Sequence, residues 1–172
     1  MELMIWMKIS GIVYDSIVDG DGIRNTIFVS GCRHNCFNCH NPQTWNFNYG
    51  DEFNVYSQNK FISDCKRNIL LDGITISGGD PMYSAKELIP FVKHFKEECP
   101  NLNIWIYSGF TYEEITQDET MNELLKLCDV LVDGRYEDDK RDLTLKFRGS
   151  SNQRIIDLKH STNSTPKILN VD

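Results

Sequence analysis

Apolar positions along the chain fall into short β-branched runs separated by longer amphipathic stretches. In "IRNTIFVSG", Thr26 to Val29 has the β-branched and aromatic character of a buried strand. "GITISGGDP", from Gly73 to Pro81, reads as strand, glycine turn and stop, and "NIWIYSG" and "DVLVDG" are two further apolar strands. Helical periodicity covers about Val55 to Ile69, Ser84 to Cys99 and Thr111 to Cys128. Ser84 with Glu87, and Thr111 with Glu114, have capping-box spacing, while Pro90 predicts a kink or a later start for the second helix. Strands alternating with helices argue for parallel βαβ units. The closing stretch "LTLKFRGSSNQRIIDL" is short, mixed and polar, and the chain beyond it is rich in Ser, Thr and Asn. The core is therefore expected over about residues 8–157, with 158–172 a loose tail of one single domain.

Each apolar strand ends in glycine and polar residues: "FVSGC", "TISGGD", "WIYSG" and "LVDGR". In parallel α/β folds, ligands bind where the loops converge at the carboxyl ends of strands. For any one loop a plain turn is the simpler reading. Four such ends beside a cysteine loop predict one shared site.

The chain has 172 residues, enough for one domain with a core, and shows neither an internal repeat nor a linker. A net charge of -7 argues against a generic nucleic-acid surface. Apolar runs such as "ILLDGITI" are broken before membrane-spanning length. The opening "MELMIWMK" is too short for a secretory segment and lacks its basic start. A cytoplasmic location is expected, with no membrane or nucleic-acid partner. In a reducing compartment the six cysteines are thiols, available for metal or redox chemistry.

Three of them, Cys32, Cys36 and Cys39, occupy the loop "GCRHNCFNCHN" with CxxxCxxC spacing. Soft thiolates select zinc or iron–sulfur clusters. His34 or His40 would complete a Cys3His zinc site. A 4Fe–4S cluster held by three cysteines would instead leave one iron open. Cys65, Cys99 and Cys128 fall at helical packing positions and read as small buried hydrophobes.

CxxxCxxC directly after a strand of a βα protein resembles the radical S-adenosylmethionine (SAM) superfamily. That resemblance implies a 4Fe–4S cluster on Cys32, Cys36 and Cys39, whose fourth iron is chelated by the amino and carboxylate groups of SAM. "SGGDP", Ser77 to Pro81, is similar to the family's glycine-rich stretch, so Gly78, Gly79 and Asp80 are expected at the methionine end. Asn38 and His40 flank the last ligand and are expected near SAM. Ser108 and Gly109 would border the ribose or carboxylate, or else simply turn the chain into a helix. "DGDGIR", Asp19 to Arg24, resembles the "DGPGIR" of glycyl-radical-enzyme activases, with Asp21 in place of proline, and "CHNPQTW" is also typical of them.

The narrower resemblance is to the activating proteins of anaerobic (class III) ribonucleoside-triphosphate reductase. "NIWIYSGFTYEEI", "VLVDGRYE" and "FRGSSNQRIID" carry it, over about Lys8 to Asp157. Activases of pyruvate formate-lyase share the cysteine loop but are usually longer. The resemblance implies an α/β fold, an incomplete, open (β/α) barrel of mainly parallel strands, because a closed barrel needs about 200 residues or more. It also implies an activase with no catalytic residue beyond the cluster and SAM. An electron from a flavodoxin or a ferredoxin cleaves SAM, and the radical formed takes hydrogen from a glycine of the reductase large subunit. Asp133 and Arg135 are expected to be structural, and Arg148 to recognise the partner.

Overall fold

The structure, a computed structural model, describes residues 6–172; Met1–Ile5, most of the apolar opening, lie outside it. The elements in chain order are β1 (Lys8–Ser16), β2 (Arg24–Val29), β3 (Asp51–Glu52), α1 (Val55–Arg67), β4 (Gly73–Gly78), α2 (Ala85–Glu98), β5 (Asn103–Ser108), α3 (Tyr112–Gln117), α4 (Glu119–Leu125), β6 (Val130–Asp133), β7 (Arg154–Thr162) and β8 (Thr165–Ile168). They form one mixed sheet in the order β3-β1-β2-β4-β5-β6-β7-β8. The central strands β2, β4, β5 and β6 are parallel, as the alternation of strands and helices predicts. β1 and β3 on one side, and β7 and β8 on the other, run antiparallel to their neighbours.

The two faces of the sheet separate by strand period. Ile27, Ile74, Ile76, Ile104, Ile106, Leu131 and Ile156 point to one face and pack under all four helices, with Phe61, Leu88, Phe91, Val92, Phe95, Ile115 and Leu124. The alternate positions Trp105, Val132 and Ile155 face the other way, in a smaller cluster with Tyr107, Val130, Phe147, Leu169 and Val171. Arg24 lies on that second face and is fully buried. Its guanidinium donates to Thr75 Oγ1 (2.8 Å), the Ile74 carbonyl (2.6 Å), Asn103 Oδ1 (2.6 Å) and the Asp21 carbonyl (2.9 Å), and it stacks over Trp105. Among the described residues no carboxylate pairs with it directly, and burial lowers its pKa to about 10. The "DGDGIR" segment thus bolts the amino ends of β2, β4 and β5 together, at the edge opposite the cysteine loop.

Three expectations are corrected. Residues 158–172 are not a loose tail. β7 runs to Thr162, β8 pairs with it, and Leu169 continues the ladder through Ile155 (2.8 Å). Composition reads this stretch as polar, but β6 offers it a free edge, and backbone pairing needs no apolar side chains. Ser84 makes no capping hydrogen bond; a 3-10 turn over Pro81–Ser84 leads into α2, and Asp80 caps that turn through Met82 N–H (2.9 Å). Pro90 sits inside α2 without ending it. The third predicted helix is two, because Asp118 is extended and its side chain caps α4 through Met121 N–H. The Thr111–Glu114 capping box is present. Among the described residues no helix is long and apolar enough to cross a membrane.

Candidate cluster site

β2 ends at Val29, and the cysteine loop is fastened at both sides of its first residues. Gly31 N–H donates to the Thr44 carbonyl (2.6 Å) and Cys32 N–H to that of Trp45 (3.2 Å). On the other side, Gly79 N–H donates to Val29 O (2.8 Å) and Asp80 N–H to Gly31 O (2.9 Å), so the end of β4 holds the loop as an extra strand would. Within the loop Asn35 and Asn38 have φ of 55° and 56°. Asn tolerates this left-handed region better than other non-glycine residues, and the two turns bring Cys32, Cys36 and Cys39 back to one side.

The three cysteines, half-buried, line a single cavity of about 200 Å³ with Gly78, Gly79, Tyr107, Ser108 and Gly134. Its other wall is made by His40, Trp45, Tyr136 and Gln153. Burial pushes the Cys32 thiol up to about 11, opposed by the His34 backbone N–H; burial likewise raises Cys36, opposed by the Tyr136 N–H. Among the described residues no three His, Cys, Asp or Glu side chains converge as one metal ion requires. Three soft donors spread around a cavity match a polynuclear cluster, where each thiolate takes its own iron. Cys65, Cys99 and Cys128 are buried in the helix-side core, and burial raises each thiol, Cys65 to about 12. Neither strand face nor loop brings them to the cavity.

His34 is also withdrawn from ligation. Its Nε2 lies 2.6 Å from Asp80 Oδ2, and its Nδ1 accepts from Arg135 Nε at 3.2 Å. The Asp80 carboxylate further accepts from Ser108 Oγ (2.9 and 3.0 Å), Gly109 N–H (2.8 Å) and Met82 N–H. One buried carboxylate therefore ties the cysteine loop to the carboxyl ends of β4 and β5.

Residues 18–156 match the family model described as a 4Fe-4S single cluster domain. The chain is 42% identical over 142 residues to the anaerobic ribonucleoside-triphosphate reductase-activating protein of Pasteurella multocida, covering 81% of this chain and 90% of that one. It is 39% identical over the same length to the protein of that name in Haemophilus influenzae, covering 81% and 90%, and 37% over 146 residues to that of Escherichia coli K12, covering 83% and 94%. This chain belongs to the family of anaerobic ribonucleoside-triphosphate reductase-activating proteins.

Within that family frame the sequence-predicted residues divide. Cys32, Cys36, Cys39, His40, Gly78, Gly79 and Ser108 all line the cavity. Asn38 and Asp80 do not. Asn38 is exposed, shapes a left-handed turn, and donates to Asp138 Oδ2 (3.1 Å). Asp80 is 1% exposed with its oxygens taken by protein donors, so it supports the site rather than lining it. The two glycines also have a packing role. A Cβ on Gly79 would press on Gly31 and the Thr44 carbonyl, and one on Gly78, at φ 111°, would strike the Val29 backbone. Both admit the cysteine loop, not only a ligand. Ser108 lines the cavity while its hydroxyl donates to Asp80 and accepts from Phe110 N–H.

Asp133 is structural, accepting from Tyr112 N–H (2.7 Å) and Arg154, and Arg135 supports His34. Arg148 donates to the Gln153 carbonyl (3.3 Å) and pairs with Asp172. The rest of "FRGSSNQR" is likewise turned inward. Gln153 accepts from Gly149 and Ser150 N–H and donates to the Gly134 carbonyl. Sequence reasoning missed Tyr107, Tyr136 and Gln153 as cavity residues. Only Tyr107 left a signal, since it alternates with Ile104 and Ile106 and so must face away from the helices.

Proposed function

We propose that this chain is a radical SAM activase, in which Cys32, Cys36 and Cys39 bind a 4Fe–4S cluster and SAM occupies the open iron beside the carboxyl ends of β4, β5 and β6. The observation that carries this reading is the isolation of the three loop thiols. They share one cavity with Gly78, Gly79, Ser108 and Gly134, while Cys65, Cys99 and Cys128 lie in the opposite core and His34 is bonded at both nitrogens. Three protein ligands leave one iron for an outside chelator. The mixed sheet, whose ends β3 and β8 do not pair, supports reading the fold as an incomplete, open barrel of the radical SAM type.

A cluster held on Cys32, Cys36 and Cys39 would supply the one-electron reduction of SAM that glycyl-radical formation on the partner requires. The chain's own part is to hold and orient. The three thiolates would hold three irons, the strand-end glycines let the cysteine loop lie close against β4, and Tyr107, Trp45, Tyr136 and Val132 line the cavity walls. The names of the relatives support an anaerobic ribonucleoside-triphosphate reductase as the partner; its large subunit as the glycyl-radical protein, a flavodoxin or ferredoxin as electron donor and the cytoplasm as location belong to the same proposal.

Anaerobic reconstitution with iron and sulfide tests the reading. A brown protein that converts SAM to equal amounts of methionine and 5′-deoxyadenosine under a chemical reductant is expected. A colourless protein with stoichiometric zinc would sink it.

A further inference from the structure

His34 lines the cavity and Asp80 stands directly behind it, and the two are bonded to each other. The Asp80 carboxylate, 1% exposed, receives donors from three places: His34 in the cysteine loop, Ser108 and Gly109 at the end of β5, and Met82 in the turn after β4. The His34 side chain is 4% exposed and packs between Phe110 (ring centroids 4.6 Å) and Tyr83 (5.3 Å). Gly109 has no side chain at the point where a Cβ would run into this imidazole. An arrangement that removes a side chain to admit a ring, and buries a carboxylate to meet it, fixes the ring in one pose.

The hydrogen-bond chemistry also fixes its protons. Arg135 Nε carries one hydrogen and has no lone pair to offer, so at 3.2 Å His34 Nδ1 must accept. Nε2 then carries the proton and donates to Asp80 Oδ2 at 2.6 Å. We infer that Asp80, Arg135 and His34 form a positioning clamp that holds the Cys32–Cys36 span against the ends of β4 and β5 through the Nε2–H form of His34.

The clamp has a specific vulnerability. Asp80 Oδ2 receives both His34 and Gly109 N–H, Oδ1 receives Met82 N–H, and Ser108 reaches both oxygens. In Asp80→Asn either orientation of the amide turns its N–H₂ against a donor: against Met82 N–H when the amide oxygen takes the Oδ2 place, against Gly109 N–H and the Nε2–H of His34 when it takes the Oδ1 place. At position 34 a Gln keeps a terminal N–H₂ able to donate to Asp80 and an oxygen able to accept from Arg135, whereas Leu fills the space with no polar atom. A ring that mattered only as bulk would be replaced by Leu as well as by Gln.

The inference deepens the cluster reading, and its first arm does not depend on it. Ring ¹⁵N chemical shifts of His34 in the full chain purified without iron should show the Nε2–H form, whether or not a cluster can be loaded. After reconstitution, Asp80→Asn should lose iron to a chelator about tenfold faster than the unaltered chain, the range for a partner that orients a ligand. His34→Leu should do the same, and His34→Gln should lose iron at close to the unaltered rate. An Nδ1–H imidazole in the unaltered chain would overturn the clamp, as would iron loss unchanged in Asp80→Asn, or a His34→Gln variant as leaky as His34→Leu. Failure to load any cluster would count against the proposed function and would leave the tautomer result standing.

Discussion

A Cβ built on Gly79 would stand 2.7 Å from the carbonyl oxygen of Gly31, inside any van der Waals contact. The glycine-rich end of β4 and the first residue of the cysteine loop are therefore packed backbone to backbone. Gly79→Val is expected to push the loop off β4 at a cost of about 1–3 kcal/mol, the usual penalty for overpacking. Cluster loading and SAM binding should fall together, with a lowered midpoint in urea. Weakened SAM binding at unchanged stability and full iron content would show that this glycine serves the ligand alone.

The remote cysteines make a sharper contrast. Cys128 is buried with its thiol against the Leu124 carbonyl, and Cys65 accepts from Asn25 Nδ2. Replacing Cys65, Cys99 or Cys128 singly with Ala should cost about 1 kcal/mol each as small core truncations and leave iron and sulfide content unchanged. Replacing Cys32, Cys36 or Cys39 should abolish the cluster with little effect on the fold of the metal-free chain. Loss of iron in any of the first three would reassign the ligand set.

Arg148 offers a test of its inward orientation. With its guanidinium held by Gln153 O and Asp172, Arg148→Ala is expected to lower stability by about 1 kcal/mol, and SAM cleavage and partner activation should decline alike. A selective loss of activation, measured against uncoupled cleavage, would return this residue to the partner surface.

The Arg154 network sets an acid limb. Arg154 donates to Asp133 (2.5 and 3.0 Å) and to Glu113 (2.7 and 3.1 Å). The hydrogen bond from Arg154 holds the Glu113 carboxyl below the usual glutamate range. A carboxyl depressed on folding adds stability above its unfolded pKa of about 4.3, and that stability is lost as pH falls toward the folded value. Arg154→Met would leave buried Asp133 short of its partner, costing on the order of 2 kcal/mol at pH 7 after allowance for the partial exposure of the arginine. Chemical denaturation at pH 7 and in the acid range should show the gap between variant and parent narrowing below pH 4. A gap constant with pH would contradict this account.

The parallel core was legible because its strands are short β-branched runs and its helices carry 3.6-residue periodicity. The antiparallel flanks were not. β1 carries the mixed sequence "KISGIVYDS", β7 is apolar only near its start and β8 is polar; these strands exist because β2 and β6 offer edges, a long-range fact that local pattern does not carry. At the site, the cysteine spacing and the strand-end glycines named most of the cavity lining. The roles behind the lining were hidden. Asp80 looks like a ligand-binding residue in "SGGDP", and only the approach of His34 from one side and Ser108 from the other shows that its oxygens are already taken. "FRGSSNQR" looks like a donor-rich grip for a peptide, yet its donors close its own loop.

The most direct measurement is electron paramagnetic resonance of an anaerobic ribonucleoside-triphosphate reductase incubated without oxygen with the reconstituted chain, SAM and a reductant. A glycyl-radical signal on the reductase is expected, dependent on SAM and absent when Cys32, Cys36 or Cys39 is replaced. No signal on the reductase from a chain with an intact cluster, or a signal raised on pyruvate formate-lyase instead, would contradict the proposed function.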